Sequence, residues 1–322
     1  MADPAESSQP SGPVAGRDYP RTRAEFEAFF PDEDACARYL ERLSWPDGFV
    51  CPSCGAVGEP WRGSRRRLVC RNCQHQTSVT AGTLFQGTRT PLAHWFEAAW
   101  LLVTAEHGVS ARHLQHHLGL ASYETAWAML HRYRRAMVRS GRPRLSGSVD
   151  AVTTVVGARA GTGGPPAGGG RAGATVAAAV EVRDAGEPGR VRMQRTRGST
   201  AADLVAFVSW AVEPGTLVRT GRHDVDQPLA ERGYLTPAGQ DDEQATACGA
   251  DVLARLHRWL EATYSGAVSA DQLDWYLDEF TFRFNRRRST HRGLLFYRLL
   301  EESVVTPPLT YRSVTAPPSS SG

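Results

Sequence analysis

Two Cys-x-x-Cys pairs constrain this 322-residue chain more than any other feature: Cys51-Pro-Ser-Cys54 and Cys70-Arg-Asn-Cys73, fifteen residues apart. Each pair turns two thiolates toward one point, and two pairs at this separation complete a tetrahedral sulfur site, the ligand set of structural zinc. Turn-forming or polar residues follow each pair, Gly55 after the first and Gln74-His75 after the second, as knuckles require. A redox role explains one such pair but makes the second superfluous. Four sulfurs leave no open coordination position, so the zinc is expected to be structural and not catalytic. Cys36 and Cys248 stand apart and read as small apolar residues.

Charge gives the second constraint. The chain is net +3, but thirteen arginines stand against four glutamates and no aspartate between Cys51 and Arg144, so the remainder is net negative. Seven of the ten histidines fall in the same block. Because arginine supplies every basic residue of the chain, abundance proves little. Clustering points to a polyanion, most often nucleic acid. No run of 18 apolar residues appears, so no membrane partner is expected. The start, MADPAESSQPSGP, has neither the basic opening nor the apolar stretch of a secretory signal, which places the chain in the cytoplasm, with the nucleoid.

Along the chain, residues 1–22 are rich in Pro, Ser, Gly and Ala and read as a disordered tail. Residues 23–48 form a helical lead-in, with Pro31-Asp32-Glu33 as a helix start. Residues 49–88 form the zinc ribbon, whose hairpin from Trp61 to Val69 carries Arg62, Arg65, Arg66 and Arg67. Residues 90–140 read as three helices: Leu92–Thr104, Ala111–Leu118 after Ser110, and Tyr123–Val138 after Ser122. The last two have the layout of a helix-turn-helix, whose second helix enters the major groove of duplex DNA. Tyr123 and Thr125 open that helix and are candidates for reading bases, while Arg132, Arg134, Arg135 and Arg139 are candidates for phosphates. His113, His116 and His117 read as an exposed helix face, not a metal site.

From Leu145 the texture changes to strands. Ser148–Val156, Thr175–Val182, Arg190–Gln194 and Thr216–Thr220 are β-rich, and Gly161–Gly173 reads as a flexible loop. Helices are expected over Ala201–Val212, Asp226–Arg232, Ala250–Thr263 and Ser269 to about Asn285. This alternation implies an α/β layer fold over residues 145–302, with a flexible tail over 303–322.

The ribbon with Trp45-Pro46-Asp47-Gly48-Phe49-Val50-Cys51-Pro52, and the following Thr80-Ala81-Gly82-Thr83-Leu84-Phe85, resemble one group of bacterial insertion-sequence transposases. The likeness continues through Leu145-Ser146-Gly147, Val218-Arg219-Thr220, Arg258-Trp259-Leu260 and Tyr276-Leu277-Asp278-Glu279-Phe280, and ends at Phe282-Arg283-Phe284-Asn285-Arg286-Arg287. It implies an RNase-H-like mixed sheet with helices for the C-terminal half. In such transposases two aspartates and a third Glu, His or Asn hold two Mg²⁺ ions for DNA cleavage and strand transfer. Two-metal chemistry needs those oxygens because the ions sit about 4 Å apart and their charge must be balanced.

Carried over position by position, the resemblance finds Val152 in place of the first aspartate, Gly221 in place of the second and Ala250 in place of the third ligand. His257 stands where a lysine is usual. The acids near enough to substitute are Asp150, Asp224, Asp226 and Asp251. Asp150 shares a strand face with Val152 but lies about 7 Å along it. The expectation is a transposase-derived protein that binds the duplex ends of its element, holds structural zinc and lacks the Mg²⁺ pair. An active transposase with relocated ligands and a zinc-ribbon transcription regulator are the alternatives. Self-association as a homodimer or higher oligomer is compatible with this reading.

Overall fold

A computed structural model of the chain describes residues 12–138, 141–157, 173–237, 246–264 and 272–309. Two compact units result. One comprises Met1–Glu106, Ala111–Ala136 and Ser289–Thr310; the other, His107–Ser110 and Met137–Arg288 with the C-terminal end.

In the first unit the lead-in breaks into two helices, α1 (Arg23–Phe29) and α2 (Glu33–Ser44). Thr22 caps α1 by accepting the Glu25 N–H, and Asp32 caps α2 by accepting the Ala35 N–H. The ribbon follows as a three-stranded antiparallel sheet of β1 (Trp61–Arg62), β2 (Arg67–Val69) and β3 (Gln76–Ser78). Next come α3 (Leu92–Thr104), α4 (Ala111–Leu118) and α5 (Tyr123–Met137), each within a residue of its expected bounds. Glu33 seats α3 on α2: its carboxylate accepts the otherwise orphaned N–H groups of Leu92 and Ala93 at 2.8 and 3.1 Å.

A last helix, α10 (Arg292–Val305), completes this unit rather than the strand-rich one. Phe296 of α10 meets Phe26, Phe30, Tyr39, Phe96 and Trp100 in an aromatic core with ring centroids 5.6 to 6.3 Å apart. The expected domain end at 302 and tail from 303 therefore cut a helix whose Ser303 and Val304 are buried. The expected tail over 1–22 also needs correction. Tyr19 and Pro20 are buried, the Tyr39 hydroxyl donates to the Asp18 carbonyl at 2.7 Å, and Pro20 lies against Gly293 so closely that a Cβ there would meet its carbonyl. Residues 1–11, 310–322 and nearly all of the Gly161–Gly173 loop lie outside the described residues.

The second unit is built on one mixed sheet. Strands β4 (Ser148–Val156), β5 (Ala174–Val182) and β6 (Pro188–Arg195) run antiparallel, and β7 (Leu217–Arg219) lies parallel to β4, giving the order β6-β5-β4-β7. Beyond β7 a single parallel bridge joins Leu217 to Leu235. Alternation along the strands serves two cores. Val149, Ala151, Ala177 and Ala179 pack under α6 (Ala201–Ala211), together with α7 (His223–Ala230). Val176, Ala178, Val180, Val191 and Met193 pack under α8 (Ala247–Tyr264) and α9 (Leu273–Asn285).

Candidate functional site: the zinc ribbon and the metal-ligand positions

The two knuckles are built alike. The Cys51 N–H donates to the Ala56 carbonyl and the Gly55 N–H to the Cys51 carbonyl, at 3.0 and 2.9 Å. Cys70 with His75, and Gln74 with Cys70, repeat the pattern at 2.9 and 3.0 Å. Each turn needs left-handed backbone, which Gly55 supplies at φ +71° and Gln74 at φ +63°. The sulfurs of Cys51 and Cys73 stand 3.6 Å apart, those of Cys54 and Cys70 3.7 Å apart, and all four lie within 4.8 Å of one another. Zinc–sulfur bonds of about 2.3 Å place tetrahedral sulfurs about 3.8 Å apart. The donor set fits structural zinc.

Three of the hairpin arginines are already engaged. Arg62 pairs with Glu41 and Arg66 with Asp34, both on α2, and Arg67 donates to the Gln76 side chain at 3.0 Å. Arg65 is exposed at φ +55°. In the helix pair, the Ser122 hydroxyl accepts the Thr125 N–H at 3.2 Å, the cap expected for α5. Tyr123 is 45% exposed and Arg135 is exposed. Arg132 lies half-buried, its guanidinium 5.7 Å from the centre of the Trp95 ring and lowered by desolvation. Arg134, read from the sequence as facing phosphates, is instead buried, because it falls on the α5 face that carries Leu130 and Tyr133 inward. Arg139 lies outside the described residues. His113 and His116 are exposed, and His117 bonds Glu97 at 2.9 Å.

The positions anchored separately in the sequence converge in the second unit. Gly249, at the start of α8, rests on β4 so closely that a Cβ there would stand 2.9 Å from Val152 and 3.1 Å from Asp150. Further along the same strand face, Thr154 Oγ1 meets His257 Nε2 at 3.1 Å. Gly221, in left-handed backbone after β7, faces Thr246 beside the same end of α8. Ala250 follows Gly249 and is exposed.

One carboxylate lies at this convergence. Asp150 is fully buried on β4, opposite Arg219 on β7. Its Oδ1 accepts from Arg219 Nε at 2.9 Å and pairs with Nη2 at 2.8 Å, while Oδ2 accepts the Gly249 N–H at 3.0 Å. Burial pushes the Asp150 carboxyl up, against the pull of the Gly249 amide and the Arg219 guanidinium. The other nearby acids have their own partners. Asp224 pairs with Arg222, which holds it below the usual carboxylate range; Asp251 pairs with Arg255; Asp226 lies 3.5 Å from His223. Among the described residues, the four cysteines are the only group of three or more His, Cys, Asp or Glu side chains placed to share a metal ion.

Sequence reasoning did not single out Arg219 and Gly249 as a clamp on Asp150, since Val218-Arg219-Thr220 carried a strand signal and a family likeness but no partner for Asp150. The role of the Phe282–Arg287 motif also emerges here. The Asn285 side chain accepts the Val191 N–H at 2.7 Å and donates to the Val191 carbonyl at 2.9 Å, mimicking a neighbouring strand on the open edge of β6. Arg287, stacked 3.9 Å over Phe284, donates to the Pro188 and Gly189 carbonyls of the same edge.

Comparison with known proteins agrees with both halves. Residues 31–76 match a transposase zinc-ribbon domain, and residues 144–285 match an ISXO2-like transposase domain, which is RNase-H-like. A protein of the transposable element ISH50 from Halobacterium salinarum, itself described as uncharacterized, is 31% identical over 124 residues, 38% of this chain and 41% of that protein. The chain thus spans about two fifths of the length of the curated relative it matches. The two matched segments together cover more than half of the chain and coincide with the ribbon and the mixed sheet, so the chain belongs to the insertion-sequence transposases that join a zinc ribbon to an ISXO2-like domain.

Proposed function

We propose that this chain binds duplex DNA through residues 51–144 and neither cuts nor joins it. The observation that carries the second half is the clamp on Asp150. Its carboxylate is spent on an arginine and a backbone amide, while Val152, Gly221 and Ala250 present no oxygen to an ion. Two-metal catalysis needs several oxygen ligands converging with free lone pairs. Asp224 and Asp251 are each turned to an arginine of their own segment, which also weighs against relocated ligands.

DNA binding is supported by the basic block and by the exposed Arg65, Tyr123 and Arg135, with Arg67 and Thr125 beside them. Arg66 is held in a surface ion pair with Asp34 and Arg132 lies half-buried over Trp95, which leaves both less available for phosphate contact. No helix among the described residues is long and apolar enough to cross a membrane. On this reading the protein works in the cytoplasm on the element's ends, as a repressor or a domesticated factor, with self-association set by the DNA site.

The test is a cleavage and strand-transfer assay on DNA carrying the element's ends, in Mg²⁺ and in Mn²⁺. The unmodified chain is expected to be silent. A variant combining Val152→Asp, Gly221→Asp, Ala250→Glu or Ala250→His, and His257→Lys tests for restored nicking. Metal-dependent nicking by the unmodified chain that is lost in Asp150→Ala or Asp224→Ala overturns the proposal. Duplex binding is read separately: Arg135→Ala weakens binding to all sequences, whereas Tyr123→Ala and Thr125→Ala shift preference.

A further inference from the structure

The second unit carries a basic trough at the β6 edge of the sheet, two strands away from Asp150 on β4. Asp150 pairs with Val180 and shares the α8 face, whereas Arg192 of the edge strand β6 pairs with Ala179 and points to the α6 face. Along this edge, between α6 and α9, a cleft of about 580 Å³ is lined by Arg142, Arg190, Arg192 and Arg286, and an adjoining one of about 370 Å³ by Arg142, Arg144, Arg192 and Trp210.

The charge in this trough is only partly balanced. Arg190 pairs with Glu181, and Asp278 lines the second cleft. Among the described residues, Arg144 and Arg192 have no carboxylate at ion-pair distance. Arg192 spends one terminal nitrogen on the carbonyls of Arg142 and Pro143, and burial with the like charges of Arg142, Arg190 and Arg144 lowers its affinity for a proton. Like charges gathered in a cleft favour an anion that relieves them.

Trp210 identifies the kind of anion. It stands on α6, 46% exposed, with the Arg192 guanidinium 5.0 Å from its ring centre. An exposed indole beside a row of arginines is the combination that holds a single strand, where phosphates follow the charges and an unstacked base lies on the ring. A duplex has no free base face to offer it.

We propose that this trough binds single-stranded DNA, with its phosphates on Arg142, Arg144 and Arg192 and a base on the open face of Trp210. The trough takes Arg142 and Arg144 from the end of the basic block but shares none of Arg65, Arg67, Tyr123, Thr125 and Arg135, the residues read as meeting the duplex, so either can fail without the other.

The experiment uses the full chain and a fluorescein-labelled thymidine oligonucleotide of about twelve residues, read by anisotropy with unlabelled duplex present in excess. Trp210→Ala should weaken binding at least about fivefold and Trp210→Phe by no more than about twofold, the stacking surface being kept. Arg144→Ala should lower the dependence of log affinity on log salt by about 0.7, the value for one single-strand phosphate contact. Arg144 makes no side-chain bond among the described residues, so this variant carries the test if Trp210→Ala fails to fold. Binding of the oligonucleotide unchanged by Trp210→Ala and Arg144→Ala, or its full displacement by the duplex, overturns the proposal. Loss of duplex binding with the oligonucleotide still held refutes the front-end reading alone.

Discussion

If the Asp150–Arg219 pair is structural cement and not half of a metal site, removing Arg219 should damage folding while leaving metal response untouched. Arg219→Met keeps the apolar stem and deletes the charge, leaving a buried carboxylate with the Gly249 amide as its remaining strong partner. Breaking a buried pair by removing one member costs about 3–5 kcal/mol. Asp150 is 1% exposed but Arg219 is 26% exposed, so its head is partly hydrated and the lower end, about 3 kcal/mol, is expected.

The pH dependence has a definite sign. The folded-state carboxyl is already pushed up by burial, and losing the guanidinium pushes it further. The folded state then holds a proton that the unfolded chain has released. Stability therefore falls as pH rises from the unfolded toward the folded pKa, by about 1.4 kcal/mol per pH unit within that window. Urea unfolding at acid and at mildly alkaline pH should find Arg219→Met relatively more stable in acid. Asp150→Asn combined with Arg219→Met should recover much of the loss and flatten the profile. Added Mg²⁺ should shift no midpoint, whereas an ion held at 100 times its dissociation constant would add about 2.7 kcal/mol. A cost below about 1 kcal/mol for Arg219→Met, or a Mg²⁺-dependent gain in the unmodified protein, would refute the reasoning.

Purified protein should carry about one tightly held zinc per chain by elemental analysis, and Cys54→Ser should lose it while the second unit still unfolds at its own midpoint. His131, driven from 6.5 to about 2 by burial with Arg134 adding repulsion, cannot take a proton when folded, so stability of the first unit should fall as pH drops below 6.5, by about 2 kcal/mol at pH 5. His131→Leu should abolish that acid slope, as followed by unfolding at several pH values. Gly293→Ala places a methyl on the Pro20 carbonyl and should destabilise the first unit by at least about 2 kcal/mol, measured by its thermal or denaturant midpoint.

Local order was legible in the residues. The zinc ligands lie three positions apart within each pair, and helices α3 to α5 announce themselves through Ser122, a 3.6-residue apolar period and Gly119, within a residue of the observed ends. Strands β4 to β6 show their alternation in the same way. The assignment of Val152, Gly221 and Ala250 to ligand positions rests on motif spacing and belongs to the proposal above. Other features depend on partners far along the chain. Residues 12–22 are ordered by Tyr39 and Gly293, and α10 joins the first unit through Phe296, which no local pattern could assign to one unit or the other. The same holds for Arg134, whose burial depends on which face of α5 the neighbouring helices cover.

Asp150 separates the two kinds of information most sharply. That a carboxylate stands two residues from Val152 on the same strand face follows from the residues alone, because side chains alternate along a strand. Only the tertiary structure decided what that carboxylate does. The parallel register of β4 and β7 brings Arg219 opposite it across 69 residues of chain, and the bare backbone of Gly249 lets α8 approach closely enough to donate an amide across 99. A buried charge must find compensation wherever the fold supplies it, and the supply is set by packing over distances that periodicity and spacing do not record.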